Sequence, residues 1–109
     1  MQVTLFDTAV PYDAAKHFDM TAMRLQGGDV TDSKDFWVGL STFLPGGGAE
    51  WGSSPTGKVY VVVEGRITVT TKDDEAELGP MDSVFIAANE ERSVLNKTNR
   101  AATMIVVSP

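Results

Sequence analysis

Three pairs of side chains in this sequence sit two or four residues apart and carry groups that could do chemistry together: Trp51 with Ser53, Lys58 with Tyr60, and Arg92 with Asn96. Residues two apart on a β-strand share a face, so Lys58, Tyr60 and Val62 point one way, while Val59, Val61 and Val63 point the other. Arg92, Val94 and Asn96 alternate in the same manner. Arginine offers a planar fork that holds a carboxylate through two hydrogen bonds. A lysine beside another cation loses its proton more easily and can then act as a base or an imine-forming nucleophile. A tyrosine phenol can donate to a developing oxyanion or carry a proton, a tryptophan can wall a small-molecule pocket, and serine adds a hydroxyl contact.

Other chemistries lack their residues. The chain has no cysteine, which removes disulfides, thiolate metal sites and a cysteine nucleophile together. A catalytic divalent metal needs about three ligands from His, Cys, Asp or Glu, and the one histidine, His17, is far in sequence from the pairs above. Glu50, Glu64, Asp82 and Glu90 show no close clustering of the kind that hard cations require. A lone histidine in the weakly patterned run AAKHFDM is more often a solvent or core contact than a catalyst, with a role at the pocket mouth as the alternative.

Each candidate also has a plain structural reading. Lys58 could snorkel at a barrel mouth or pair with Glu50, Arg92 could form a surface ion pair with Glu90 or Glu91, and Trp51 could cap the core. Phe36, Trp37, Phe43, Phe85 and the methionines read as core or subunit-interface residues.

The elements that must position these groups are strands. From Phe36 onward the runs FWVGLSTFL, KVYVVVEG, RITVTT, SVFIAA, RSVLN and AATMIVVS are split by turn residues at the spacing of a closed β architecture. The turns fall at Pro45 and the three glycines 46–48, Ser53 to Gly57, Glu64-Gly65, Lys72 to Glu75, Gly79-Pro80 and Asn96 to Asn99. Upstream, Val3 to Phe6 reads as a strand, Tyr12 to Phe18 as one helical turn or a loop, and Met20 to Leu25 as a further strand ending at Gly27-Gly28. No stretch carries apolar residues at helical spacing over a length that would pack.

Length and composition bound the rest. At 109 residues the chain builds one core, and 42% hydrophobic against 22% charged residues puts it with folded rather than disordered chains. A formal net charge of −6 with scattered basic residues argues against nucleic acid and against an anionic membrane surface. No run approaches the ~18 apolar residues of a membrane helix, and the start MQVTLFDTAVPYD lacks a basic leader with a long apolar run, so a cytoplasmic location is expected.

The segment PGGGAEWGSSPTGKVYVVVEGRITV, followed by ELGPMDSVFIAANEERSVLN, resembles the two signature motifs of the cupin superfamily across Phe36 to Pro109. The family's first motif has a glycine, a His-x-His pair, a glutamate and a closing glycine. Gly65 holds that last place, and counting back puts Lys58 on the glutamate, Ser53 on the second histidine and Trp51 on the first. In the second motif Met81, Ala87, Asn89, Arg92 and Asn96 fall on the marked places, and only the asparagine, Asn96, is kept. All four metal-ligand positions therefore depart from the family, reading Trp51, Ser53, Lys58 and Arg92.

The resemblance implies an all-β double-stranded β-helix, a cupin or jelly-roll barrel. It would form a single domain over 1–109, with an N-terminal extension at 1–35 and the barrel core at 36–109. It also implies that Arg92 faces Lys58 across the barrel cavity. Two cations in one low-dielectric pocket need a compensating anion, so the expected ligand is a small carboxylate. Arg92, Trp51, Ser53 and Asn96 would bind it, and Lys58 and Tyr60 would react, without metal or other cofactor. Isomerisation, dehydration or decarboxylation would fit. The alternatives are a non-catalytic binding module for an acidic metabolite, or an accessory barrel whose cavity is plugged by Trp51, Tyr60 and Met81. The family's habit of dimerising implies a homodimer, with Val3 to Phe6 as an exchanged edge strand.

Overall fold

The computed structural model describes all 109 residues. Nine strands follow a single 3-10 turn at Phe6–Thr8: β1 (Val10–Pro11), β2 (His17–Gln26), β3 (Trp37–Gly52), β4 (Lys58–Glu64), β5 (Ile67–Thr71), β6 (Glu75–Leu78), β7 (Ser83–Ile86), β8 (Arg92–Leu95) and β9 (Ala102–Ser108). Every pairing is antiparallel, and the strands run in the order β6-β5-β8-β3-β9-β4-β7, with β2 added to β3 and β1 to β2. The result is the expected jelly-roll barrel, nearly closed, and no helix is long and apolar enough to cross a membrane.

Alternation decides what fills the interior. Phe43, Val62, Ile67, Val94, Ala102, Met104 and Val106 point inward with four further residues to form one core cluster of 11, while the intervening residues of β4 and β9 are more exposed. Each apolar side chain withdrawn from water contributes about 1.5–3 kcal/mol. Of the aromatic residues expected in the core or at an interface, Phe43 is fully buried, whereas Phe36 and Phe85 are exposed.

The longest strand shows how the barrel closes. The first part of β3 pairs with β9, Trp37 opposite Ser108 through Phe43 opposite Ala102, and its last part pairs with β8, Gly48 opposite Leu95 and Gly52 opposite Arg92. The glycines at 46–48 are thus a corner within one strand and not the turn that their composition suggests. Gly46 takes a φ of +82°, and a Cβ on Gly48 would lie 2.0 Å from the carbonyl oxygen of Val94, so the β3–β8 approach requires glycine.

Three expectations change at the edges. Val3–Phe6 forms no strand, and Val3, Leu5 and Phe6 are exposed. The segment from Tyr12 to Lys16 is a loop, and β2 begins at His17 and runs to Gln26. Glu75–Leu78, placed partly in a turn, is strand β6; three of its four side chains are exposed on an edge strand, which erases the apolar signal.

Candidate functional site

The barrel encloses an open cavity of about 410 Å³, a size suited to a small metabolite. Its wall is built by β2, β3, β4, β8 and β9 and closed on one side by the loop before β2. Because the cavity is open, and because Met81 is 77% exposed and Trp51 44% exposed, neither of those residues plugs it.

Lys58, Tyr60, Ser53 and Arg92 are all brought to this cavity. Tyr60 is buried at 4% exposure, and its phenolic oxygen accepts hydrogen bonds from Arg92 Nε at 3.1 Å and Nη2 at 3.0 Å. Arg92 Nη1 donates to the carbonyl of Gly52 at 3.2 Å, across the irregular end of the β3–β8 ladder. With both of its lone pairs turned to the guanidinium, Tyr60 has only its O–H left to offer a ligand.

Lys58 Nζ donates to Ser108 Oγ at 3.1 Å and lies 4.9 Å from the centre of the Trp37 ring. Burial pushes its ammonium pKa down from the usual lysine value, and the nearby Arg92 and Arg24 guanidinium groups add to the shift. Neither expected ion pair forms: the molecule's two salt bridges are Arg66–Glu77 and Lys97–Glu75, both on the surface. Four basic side chains, Lys16, Arg24, Lys58 and Arg92, share the cavity wall with the carboxylates of Asp13 and Glu50, and none of the four is paired with an acid.

Two residues are placed elsewhere. Trp51 does not line the cavity; its indole Nε1 donates to Glu91 Oε2 at 2.7 Å on the exterior. The register shift between Ala49 and Gly52 breaks the alternation that would have put Trp51 and Ser53 on one face. Asn96 is completely buried and holds the chain together. Its Nδ2 donates to the carbonyls of Phe43, Leu44 and Arg100, and its Oδ1 accepts from Thr98. No capacity is left for a ligand.

Arg24 and Tyr12 stand outside the sequence reading, and Trp37, expected in the core or at an interface, packs partly buried against the core and joins them on the cavity wall. Arg24 sits 4.0 Å from the ring centre of Tyr12 and 4.6 Å from that of Trp37, and these two rings meet edge to face at 6.3 Å. Burial raises the Tyr12 phenol pKa, with Arg24 opposing the shift. The signal available in sequence was the alternation of Trp37, Gly39 and Ser41 on β3, but the partner strand β2 was too weakly patterned to match to it. His17 also reaches the cavity wall. Its Nδ1 bonds the carbonyl of Ala15 at 2.7 Å, and its ring stacks on Phe43 at 6.5 Å.

A family metal does not fit these residues. No group of three or more His, Cys, Asp or Glu side chains gathers anywhere in the molecule, and the positions that would hold the metal carry Trp51, Ser53, Lys58 and Arg92, of which a lysine and an arginine would repel a cation.

The fold is a jelly-roll barrel with basic, acidic and hydroxyl side chains directed into one cavity. By sequence, residues 39–108 match the family described as "Cupin domain", and the chain belongs to the cupin family. A protein named beta-D-galactosidase Rv1717 from Mycobacterium tuberculosis is 42% identical over 106 residues, covering 97% of this chain and 91% of that one. Among solved structures, the polyketide cyclase RemF from Streptomyces resistomycificus superposes with a TM-score of 0.86 at 18% identity, covering 100% of this chain and 79% of its own. A cupin-superfamily sugar phosphate isomerase from Silicibacter pomeroyi gives 0.68 at 23% identity, covering 80% and 58%.

Proposed function

We propose that this cupin binds a small carboxylate-bearing organic metabolite in the barrel cavity and moves a proton on it without a metal. The observation that carries the reading is the excess of unpaired cations on the cavity wall. Such a wall is stabilised by a bound anion.

In this reading Lys58, its neutral form favoured by burial and by two neighbouring guanidinium groups, takes a proton from the carbon next to the ligand's carbonyl or carboxyl group. The electron pair of that C–H bond moves into the carbonyl, whose oxygen receives the Tyr60 O–H. Returning the proton to the same or a neighbouring carbon regenerates both side chains and gives exchange or isomerisation. Arg92 holds the phenol in place and adds charge to the pocket, and Ser53 supplies a hydroxyl contact. Outside the cavity, the exposed apolar residues of β4 and β7 support a homodimer through the barrel face.

The test begins with thermal unfolding in the presence of a panel of small carboxylates. Free ligand at 100 times its dissociation constant raises stability by about 2.7 kcal/mol. Acids that stabilise are then incubated in D2O and followed for loss of the α-hydrogen signal. Lys58→Arg is expected to keep stabilisation and lose exchange; stabilisation without exchange in the unaltered protein would leave a binding module, and a silent panel would remove the anionic-ligand reading.

A second reading is glycoside hydrolysis, favoured by the name of the 42%-identical relative and by the two cavity carboxylates, Asp13 and Glu50, which could serve as acid and base. Turnover of a nitrophenyl β-D-galactoside that is lost in both Asp13→Asn and Glu50→Gln would establish it.

A further inference from the structure

Arg92 was the expected carboxylate holder, yet most of its hydrogen-bonding capacity is already spent. Nε and Nη2 both donate to Tyr60 Oη, and Nη1 donates to the carbonyl of Gly52. Of the five N–H groups on a guanidinium, three are engaged within the protein. Arg24 is in the opposite condition. It is half-buried on the wall of the same cavity, and none of its N–H groups has a hydrogen-bond acceptor in the molecule. No carboxylate lies within ion-pair distance of it.

What holds Arg24 is contact with two aromatic ring faces. The guanidinium carbon is 4.0 Å from the centre of Tyr12 and 4.6 Å from that of Trp37. Cation–π contact of this kind confines the group between two rings and takes up none of its N–H donors. The space for the cage comes from a missing side chain. Gly39 pairs with Arg24 across the β2–β3 ladder, and a Cβ there would lie 2.8 Å from Tyr12 Oη and 3.2 Å from Trp37 Cζ3. Lys58 approaches the same indole at 4.9 Å, so an anion on the Arg24 fork would sit beside the group that acts as base.

We propose that Arg24, caged by Tyr12 and Trp37, receives the carboxylate of the ligand, and that Arg92 is a positioning residue for Tyr60. This assignment rests on the anionic-ligand reading above and refines it: the ligand presents a planar carboxylate to Arg24 and the adjoining carbon to Lys58.

The chain has two tryptophans, so a Trp51→Phe background leaves Trp37 as the sole reporter, with its ring directly against Arg24. Its emission is titrated with sodium gluconate, sodium benzoate, inorganic phosphate and, as a neutral control, galactose, in the background protein and with Arg24→Gln, Arg24→Lys or Arg92→Gln added. The carboxylates are expected to change Trp37 emission saturably. Both Arg24 variants should raise the dissociation constant by about tenfold or more, the loss of a charge-assisted bidentate contact, and Arg92→Gln by less than about threefold. Arg24→Lys keeps the charge and fits the same cage, which separates loss of the fork from loss of packing.

Unchanged affinity in both Arg24 variants together with weakened binding in Arg92→Gln would overturn the assignment and make Arg92 the anchor. Tighter binding of phosphate than of either carboxylate would overturn the carboxylate choice. No response to any anion in the background protein would instead overturn the anionic-ligand reading itself.

Discussion

Lys58 owes its character to three surroundings that act in one direction: partial burial, Arg92 and Arg24. Its folded pKa is below the ordinary lysine value of 10.5, so between those two values the unfolded chain binds more protons than the folded one, and stability rises with pH. Unfolding measured by denaturant at neutral pH and again near pH 9.5 should show the wild type gaining on Lys58→Met as pH rises. In the proposed reaction the neutral amine is the working form, so proton exchange should increase over the same interval. Lys58, Ser53 and Arg92 were pointed to by the positions they hold in the resemblance, and Tyr60 followed from Lys58 because alternate side chains on a strand share a face. Arg24 and its two aromatic neighbours were not, since their meeting depends on the register between β2 and β3 and on the empty space at Gly39. Trp51 was misplaced by a bulge that composition does not announce.

At the level of the strands, two positions carry geometry that other residues cannot reproduce. Asn96 satisfies three carbonyls from Phe43, Leu44 and Arg100 at once. Asn96→Ala removes all three bonds from a fully buried position and is expected to cost about 2–4 kcal/mol in denaturant unfolding while leaving carboxylate affinity within about twofold. Gly48→Ala forces β3 and β8 apart at the corner and should cost roughly 2 kcal/mol or more by the same measurement. The strand runs after Phe36 were readable from their β-branched residues and turn punctuation. The corner and the edge strand β6 were hidden, the first because glycine and proline usually end a strand and the second because its exposed face is acidic. Asn96 was expected to bind the ligand; its side chain instead holds backbone, a role that becomes visible only once the chain is closed around it.

On the scale of the whole molecule, charge is distributed in opposition. The chain carries a net −6, yet the cavity wall holds four basic residues against two acidic ones. In the proposed reading the cavity cations attract the anion at close range while the net negative chain repels it at long range, so salt screens two opposed effects; with the cavity attraction the larger, carboxylate affinity should fall as ionic strength rises from 0.02 to 0.2 M, a range over which screening shortens from about 20 Å to about 7 Å. Val59 pairs with Phe85 across β4 and β7, and both are exposed, as is Val63. Light scattering after size exclusion is expected to give twice the chain mass of 11.7 kDa, and Phe85→Glu to return a monomer.

The corner in β3 also bears on how such a molecule can change. A single run of backbone contributes Trp37 and Ser41 before the bend and the Gly52 carbonyl after it, so both ends of the cavity are written on one strand. Most of the remaining wall also comes from barrel strands. Ligand preference is therefore open to alteration by single substitutions at inward-facing strand positions, with chain length and topology untouched. Lengthening the turns on the far side of the barrel would leave that preference where it is. Tyr60, Val94, Met104 and Val106 belong to both the core cluster and the cavity wall, so at those four positions a change of cavity shape is also a change of core packing.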